Sequence, residues 1–248
     1  MKTLVFLPTY NEKENIEGMV DAILQLEHHP ELERNGISEI HILIVDDSSP
    51  DGTGELADNL MVKHPGNVHV IHRTERGRGT AGVAGFKYCV KQDVDYVIEM
   101  DADFSHNPRD IPRFLTEIKN YDIVIGSRFV RGSKIGPRSP MRRLTSWGAG
   151  LYTRSVLGIN VKDWSSGYKC YRRHVLASLD YANIFSSGYS IGMETLYKLI
   201  KGGCSYHEIP ITFLDRTQGK SKFTTRESLH YIVAVWRLRW ERKNIRAA

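Results

Sequence analysis

The chain has 248 residues, 41% of them hydrophobic, and a formal net charge of +5 at pH 7. That length suits one large α/β domain or two small ones, and the apolar share is enough for a core and excludes a disordered chain. Cys89, Cys170 and Cys204 form no Cys-x-x-Cys pair, which speaks against a disulfide framework or a thiolate zinc site and for a reducing cytoplasm, and no apolar run approaches the roughly 20 residues of a spanning helix.

Leu4 to Leu7 reads as a strand; broken off by Pro8, it lacks the longer apolar region of a signal peptide. Pro8-Thr9-Tyr10-Asn11-Glu12 follows, and a helix is predicted over Glu12 to Leu26. A second strand, His41 to Val45, runs into Asp46-Asp47-Ser48-Ser49-Pro50-Asp51-Gly52-Thr53 and a helix over Gly54 to Lys63. Next come a strand at Val68 to His72 and a helix at Ala81 to Gln92. The glycines around that helix, Gly77, Gly79, Gly82 and Gly85, fit neither the dinucleotide fingerprint nor the P-loop; small residues allowing close helix packing explain them better. A strand at Tyr96 to Met100, a helix at Ile111 to Lys119 and a strand at Ile123 to Ser127 complete the pattern. Such alternation implies a mostly parallel sheet with helices on both faces, and ligands at the carboxyl ends of its strands. The polar clusters fall there. Each has a local alternative: Asn11 could cap a helix, and Asp51-Gly52-Thr53 could be a turn.

Asp101-Ala102-Asp103 carries the most chemistry. If the strand pattern continues, the two carboxylates project to one side beyond the strand end. There they can hold Mg²⁺ or Mn²⁺, which neutralises charge building on a departing diphosphate. The alternative is a solvated acidic turn.

The positive charge is concentrated. From Arg216 onward nine Lys/Arg stand against Glu227 and Glu241, a local +7 that leaves −2 for the rest of the chain. Ile123 to Lys162 holds eight more basic residues and no acidic one. Such stretches favour an anionic partner, or merely solvate a surface. Nucleic acid is not the expected partner: no binding motif for it is present, and the Asp pair would repel phosphates in the absence of a metal. Leu229 to Trp240 reads as a basic amphipathic helix, suited to a lipid interface or to packing on the main domain.

Together with Gly126-Ser127-Arg128 and Ser165-Ser166-Gly167-Tyr168, the clusters above resemble family 2 glycosyltransferases of the GT-A fold, most closely the dolichol-phosphate or polyprenol-phosphate mannose synthases. The resemblance covers Leu4 to about Phe223. It implies a Rossmann-like GT-A catalytic domain over residues 1–225, followed by a basic amphipathic segment, 226–248.

By the same resemblance Pro8, Tyr10, Glu12, Val45 and Asp47 contact the nucleotide. Asp101 and Asp103 bind donor and metal, with Ala102 against the nucleotide. Ser105 stands where many relatives carry a Gln metal ligand; its shorter hydroxyl is a weaker ligand, and water can intervene. Arg128, one of Arg142 or Arg143, and the pair Arg216 and Lys222 match positions that engage phosphates. Glu194 matches an acidic residue near the active site, where it would orient the sugar or a basic side chain, or serve as a buried structural carboxylate. The implied reaction moves mannose from GDP-mannose to dolichyl or polyprenyl phosphate with inversion; the alternative is a UDP-sugar donor with a polyprenyl-phosphate or saccharide acceptor. The lipid acceptor implies an enzyme peripheral on the cytosolic face of a membrane. Some relatives continue into transmembrane helices, so a membrane-anchoring subunit is a further expected partner.

Overall fold

A computed structural model of the chain describes residues 1–75, 77–136, 140–186, 188, 190–214 and 225–241, without the side chains of residues 78, 140–143 and 225–229. The apolar run Leu4 to Leu7 becomes the middle of β1 (Lys2–Thr9), and its two faces serve different layers. Val5 and Leu7 bury against Ile16, Met19 and Val20 of α1 (Ile16–Leu24), whereas Leu4 and Phe6 join Phe86 of α4 (Arg78–Cys89) on the other side. A strand covered on both faces has no polar face to show, so its sequence is continuously apolar.

β1 pairs in parallel with β2 (Glu39–Asp46) and β4 (Tyr96–Glu99), and β2 in parallel with β3 (Val68–His72). Between them lie α2 (Pro30–Arg34) and α3 (Thr53–Lys63), and α5 (Ile111–Glu117) leads into β5 (Ile123–Ser127). Every strand expected up to Ser127 is present. The first helix begins at Ile16 rather than Glu12: Asn11 turns the chain at φ 59°, and the N–H groups of residues 11, 12 and 13 are bonded to side chains of the loop after β2. Close packing explains two of the four glycines: a Cβ on Gly85 would lie 2.4 Å from the Phe6 ring, and one on Gly79 would lie 2.3 Å from the Gly188 carbonyl oxygen, whereas one on Gly82 would meet nothing within 4 Å and Gly77 serves the turn into α4 at φ 148°.

Beyond Ser127 come β6 (Lys134–Ile135), α6 (Pro140–Leu157), β7 (Lys169–Arg172), α7 (Arg173–Ala177), α8 (Ser190–Lys201), β8 (Tyr206–Pro210), β9 (Thr212–Phe213) and α9 (Thr225–Glu241). The sheet order is β3-β2-β1-β4-β7-β5-β8, with β7 antiparallel to both neighbours. This gives a mostly parallel seven-stranded sheet with helices around it. A small second sheet pairs β6 with β9, and His106 bridges to Phe213 at its edge, close to the loop that follows β4.

α9 includes the predicted amphipathic segment. It buries Ala234, Val235 and Leu238 in the apolar layer shared with Leu157 of α6 and Leu196 of α8, and exposes Ile232, Val233, Trp236 and Trp240. Thr153 and the Tyr231 hydroxyl tie α6 to α9 at 2.8 Å. Among the described residues no helix is long and apolar enough to cross a membrane.

Candidate active site

The loops after β1 and β2 hold each other. Three successive N–H groups donate across: Asn11 to Ser49 Oγ at 3.0 Å, Glu12 to Thr53 Oγ1 at 2.9 Å, and Lys13 to Asp51 Oδ2 at 3.2 Å. Partial burial would raise the Asp51 carboxyl, but hydrogen bonds from the Thr53 hydroxyl, from its N–H and from the Lys13 N–H hold it below its ordinary value. Asn11 caps no helix and sits in the left-handed region at φ 59°. Ser48 and Phe104 do the same at φ 51° and 57°, and these three are the non-glycine residues of positive φ among those described. All follow β1, β2 or β4. Left-handed backbone at a residue with a side chain costs free energy and collects at functional sites.

Asp47 caps the third side of this region. Its Oδ1 accepts from Arg73 and its Oδ2 from the Gly77 N–H at 2.8 Å, which fixes the entry to α4. Val45 is wholly buried in the core, and its carbonyl accepts from Thr9 Oγ1 at 3.3 Å. Pro8 is its register partner on β1, and Tyr10 and Glu12 continue from there, with Glu12 Oε2 accepting from Asn15 at 2.9 Å. A cavity of about 550 Å³ opens beside the β2 loop, lined by Asp46, Asp51, Glu55 and Asp58 among others. None of the predicted donor contacts lines it, and its acidic wall suits a diphosphate poorly.

β4 ends at Glu99, and Asp101 and Asp103 lie in the loop beyond it, both partly exposed, with Ala102 buried between them. Ser105 is 2% exposed and spends its hydroxyl on Asp103 Oδ1 at 2.6 Å, with its N–H on the same oxygen at 3.0 Å. It therefore orients Asp103. The Asp101 N–H donates to His106 Nδ1 at 3.0 Å, and the His106 ring stacks on Tyr168 with centroids 4.9 Å apart. Among the described residues no three potential ligating His, Cys, Asp or Glu side chains gather. Two carboxylates and hard oxygen donors nevertheless fit Mg²⁺ or Mn²⁺, whose remaining positions are commonly filled by water and substrate phosphates.

Arg128, just past β5, is the fixed cation of the site. Its Nε and Nη2 reach Asp163 Oδ2 and Oδ1 at 2.8 and 2.7 Å, its N–H reaches Oδ2 at 2.9 Å, and Nη2 also reaches Ser165 Oγ at 2.6 Å. Burial alone would pull the guanidinium down; the charge of Asp163, its hydrogen bonds and the charge of Asp101 hold it above its ordinary value. The fork is thus already occupied by Asp163. With its charge balanced by Asp163, Arg128 offers a ligand no open bidentate grip; it fixes the chain beside Asp101.

Residues 4–179 match glycosyl transferase family 2. The chain belongs to that family. It is 41% identical over 244 residues to the polyprenol monophosphomannose synthase of Mycolicibacterium smegmatis, covering 96% of this chain and 88% of the relative. It is 38% identical over 225 residues to the undecaprenyl-phosphate mannosyltransferase of Micrococcus luteus, covering 90% and 88%. To the dolichol-phosphate mannosyltransferase of Pyrococcus furiosus it is 38% identical over 250 residues, covering 97% of this chain and 65% of that longer one. Among solved structures, glucosyl-3-phosphoglycerate synthase from Mycobacterium tuberculosis, crystallised with Mn²⁺, UDP-glucose and phosphoglyceric acid, shares the fold with a TM-score of 0.65 at 18% identity, over 96% of this chain and 80% of that one.

The remaining residues expected of this glycosyltransferase fall unevenly. Glu194 is fully buried in α8; its oxygens accept from the Phe185 and Ser186 N–H groups at 3.1 and 2.7 Å and from Lys198 at 2.6 Å. Glu194 thus pins the loop before α8 and holds a basic side chain, Lys198. Arg142 and Arg143 lie in α6, but their side chains are outside the described residues, as are Arg216 and Lys222 altogether. Sequence reasoning gave no role to Asp163 or His106. His106 was visible within the motif Asp103-Phe104-Ser105-His106, whereas nothing local marks Asp163.

Proposed function

We propose that this enzyme transfers mannose from GDP-mannose to the phosphate of a polyprenol, with inversion at the anomeric carbon, at the site around Asp101 and Asp103. The observation that carries the reading is the carboxylate pair just beyond the carboxyl end of β4, with Asp101 within electrostatic reach of the buried Arg128–Asp163 pair and the joined loops of β1 and β2 on the neighbouring strands. The sugar and the acceptor class follow the names of the three relatives. Bound at Asp101 and Asp103, a divalent cation would offset charge on the leaving diphosphate.

The chain's own residues then have separate tasks. Ser105 and His106 set the orientation of the carboxylates. Pro8, Tyr10, Glu12, the Val45 backbone, Asp47 and Ala102 would form the nucleotide wall. One of Arg142 or Arg143, with Arg216 and Lys222, would lower the repulsion between two anionic substrates, while Arg128, paired with Asp163, braces the site beside Asp101. A phosphate monoester has its second pKa near ~6, so at neutral pH the nucleophile is already largely an anion. No strong general base is required, in keeping with the buried and fully bonded Glu194. Alignment and electrostatics carry the rate.

Access to a lipid acceptor is supported by α6 and α9. Leu144, Trp147 and Leu151 on one and Val233, Trp236 and Trp240 on the other are exposed on adjacent helices. Apolar and aromatic side chains flanked by arginines suit the interface of an anionic leaflet, making the enzyme a peripheral membrane protein, with or without an anchoring subunit.

The test is to incubate the purified protein and Mg²⁺ with radiolabelled GDP-mannose, or in parallel with UDP-sugars, and undecaprenyl or dolichyl phosphate, and to count label in the organic phase. Label is expected from GDP-mannose alone, as a β-linked product. Transfer from a UDP-sugar, label confined to a soluble saccharide, or an α-linked product would each overturn the reading.

A further inference from the structure

Between the sheet and α8 lies a group of polar side chains without a role in the scheme above. Lys169, the first residue of β7, is 1% exposed, and directly across the antiparallel pair stands Glu99, 8% exposed, the last residue of β4 and two positions before Asp101. Lys169 Nζ lies 3.7 Å from Glu99 Oε2. That is too long for a hydrogen bond, and among the described residues this Oε2 has no hydrogen-bond partner. The same holds for the Tyr171 hydroxyl, which lies on the same face of β7 and feels the Glu99 charge, and for the Ser190 hydroxyl at the start of α8, 2% exposed. Lys169 points at the first turn of α8, where Gly192 presents no side chain; a Cβ there would stand 3.6 Å from Nζ.

Buried polar atoms in native folds are nearly always bonded, so a cluster that is not calls for an occupant. Its chemistry narrows the choice. A carboxylate beside an ammonium leaves the cluster without net charge, Glu99 would repel a phosphate, and Lys169 would repel a metal ion. A neutral hydroxyl fits: it can donate to Glu99 and accept from Lys169, filling a gap too wide for the direct bond. Glu99 closes β4 at its carboxyl end, two positions before Asp101.

We propose that Glu99 and Lys169 form the subsite that reads one hydroxyl of the donor sugar and so contribute to sugar selectivity. The proposal rests on the assignment of donor binding to Asp101 and Asp103 given above.

Calorimetric titration of the intact protein in Mg²⁺ with GDP and with GDP-mannose separates this role from that of a structural ion pair. In Glu99→Gln and Lys169→Met, affinity for GDP-mannose is expected to fall about tenfold or more while affinity for GDP stays within about twofold. Equal losses for both ligands, or none for either in a folded variant, would overturn the subsite. If neither variant folds, wild-type protein is titrated with GDP-mannose analogues lacking the 2-, 3-, 4- or 6-hydroxyl. Loss of one of these hydroxyls should cost about tenfold, and four analogues bound as tightly as the parent would overturn the proposal. Should the donor panel of the preceding section select another nucleotide sugar, the GDP-mannose reading fails on that result alone. The same comparison, run with the selected donor and its parent nucleotide, then decides the subsite.

Discussion

Asp163→Asn isolates the clamp that fixes Arg128. The Arg128 side chain is 9% exposed and that of Asp163 not at all, and three donors of Arg128 converge on the one carboxylate. Removing one member of a buried ion pair leaves the other as an uncompensated charge, at about 3–5 kcal/mol. Asn keeps one accepting oxygen, so the lower end applies, about 3 kcal/mol. For a chain of this size each kcal/mol moves Tm by about 2–4 °C, which gives a loss of about 6–12 °C. Burial would raise the Asp163 carboxyl, but the charge and hydrogen bonds of Arg128, with Ser165, hold it below its ordinary value of 3.8. A lowered folded-state pKa means that the stabilisation is complete above the unfolded value and is lost as pH falls through the folded one. Thermal unfolding of wild type and variant, followed by circular dichroism from pH 7 down into acid, should therefore show a gap that is constant near neutrality and narrows below pH 3.8. A gap under about 2 °C at pH 7, or one that fails to narrow in acid, refutes the reasoning.

Three further outcomes are expected. Asp103→Asn should fold normally, lose turnover by orders of magnitude and no longer respond to added Mg²⁺ or Mn²⁺; full activity of this variant in excess chelator would remove the metal role. Glu194→Gln should lose about 1–3 kcal/mol of stability while the folded variant keeps turnover within about tenfold of wild type, and a collapse in turnover at unchanged Tm would instead make Glu194 catalytic. Gly79→Ala places a Cβ 2.3 Å from the Gly188 carbonyl oxygen and 2.4 Å from Ile191, so α4 and α8 must part, with a Tm loss of several degrees in calorimetry; an unchanged Tm would show that the packing relaxes freely.

The first half of the fold was legible because each strand there is a continuous apolar run followed directly by the loop that serves the site. Leu4 to Leu7 and Pro8 to Glu12, His41 to Val45 and Asp46 to Thr53, and Tyr96 to Met100 and Asp101 to His106 are contiguous pairs of that kind. In a parallel sheet the carboxyl ends of the strands lie along one edge, so reading the strands also locates the polar clusters. The second half was not legible in this way. β7 is only Lys169–Arg172, with two charged residues among four, and no local pattern distinguishes it from a turn.

What the sequence determined by itself is the family, the parallel core and the carboxylate pair, all of which are encoded by residues close together in the chain. What the tertiary structure alone decided is which charges meet. Arg128 and Asp163 are 35 positions apart, and Lys169 faces Glu99 only because β7 enters the sheet antiparallel beside β4. A basic residue reads alike in sequence whether it lies in solvent, grips a phosphate or is clamped by a buried carboxylate. Strand order and register set its partner, and burial sets the strength of the contact, because removing water lets a fixed opposite charge act without screening.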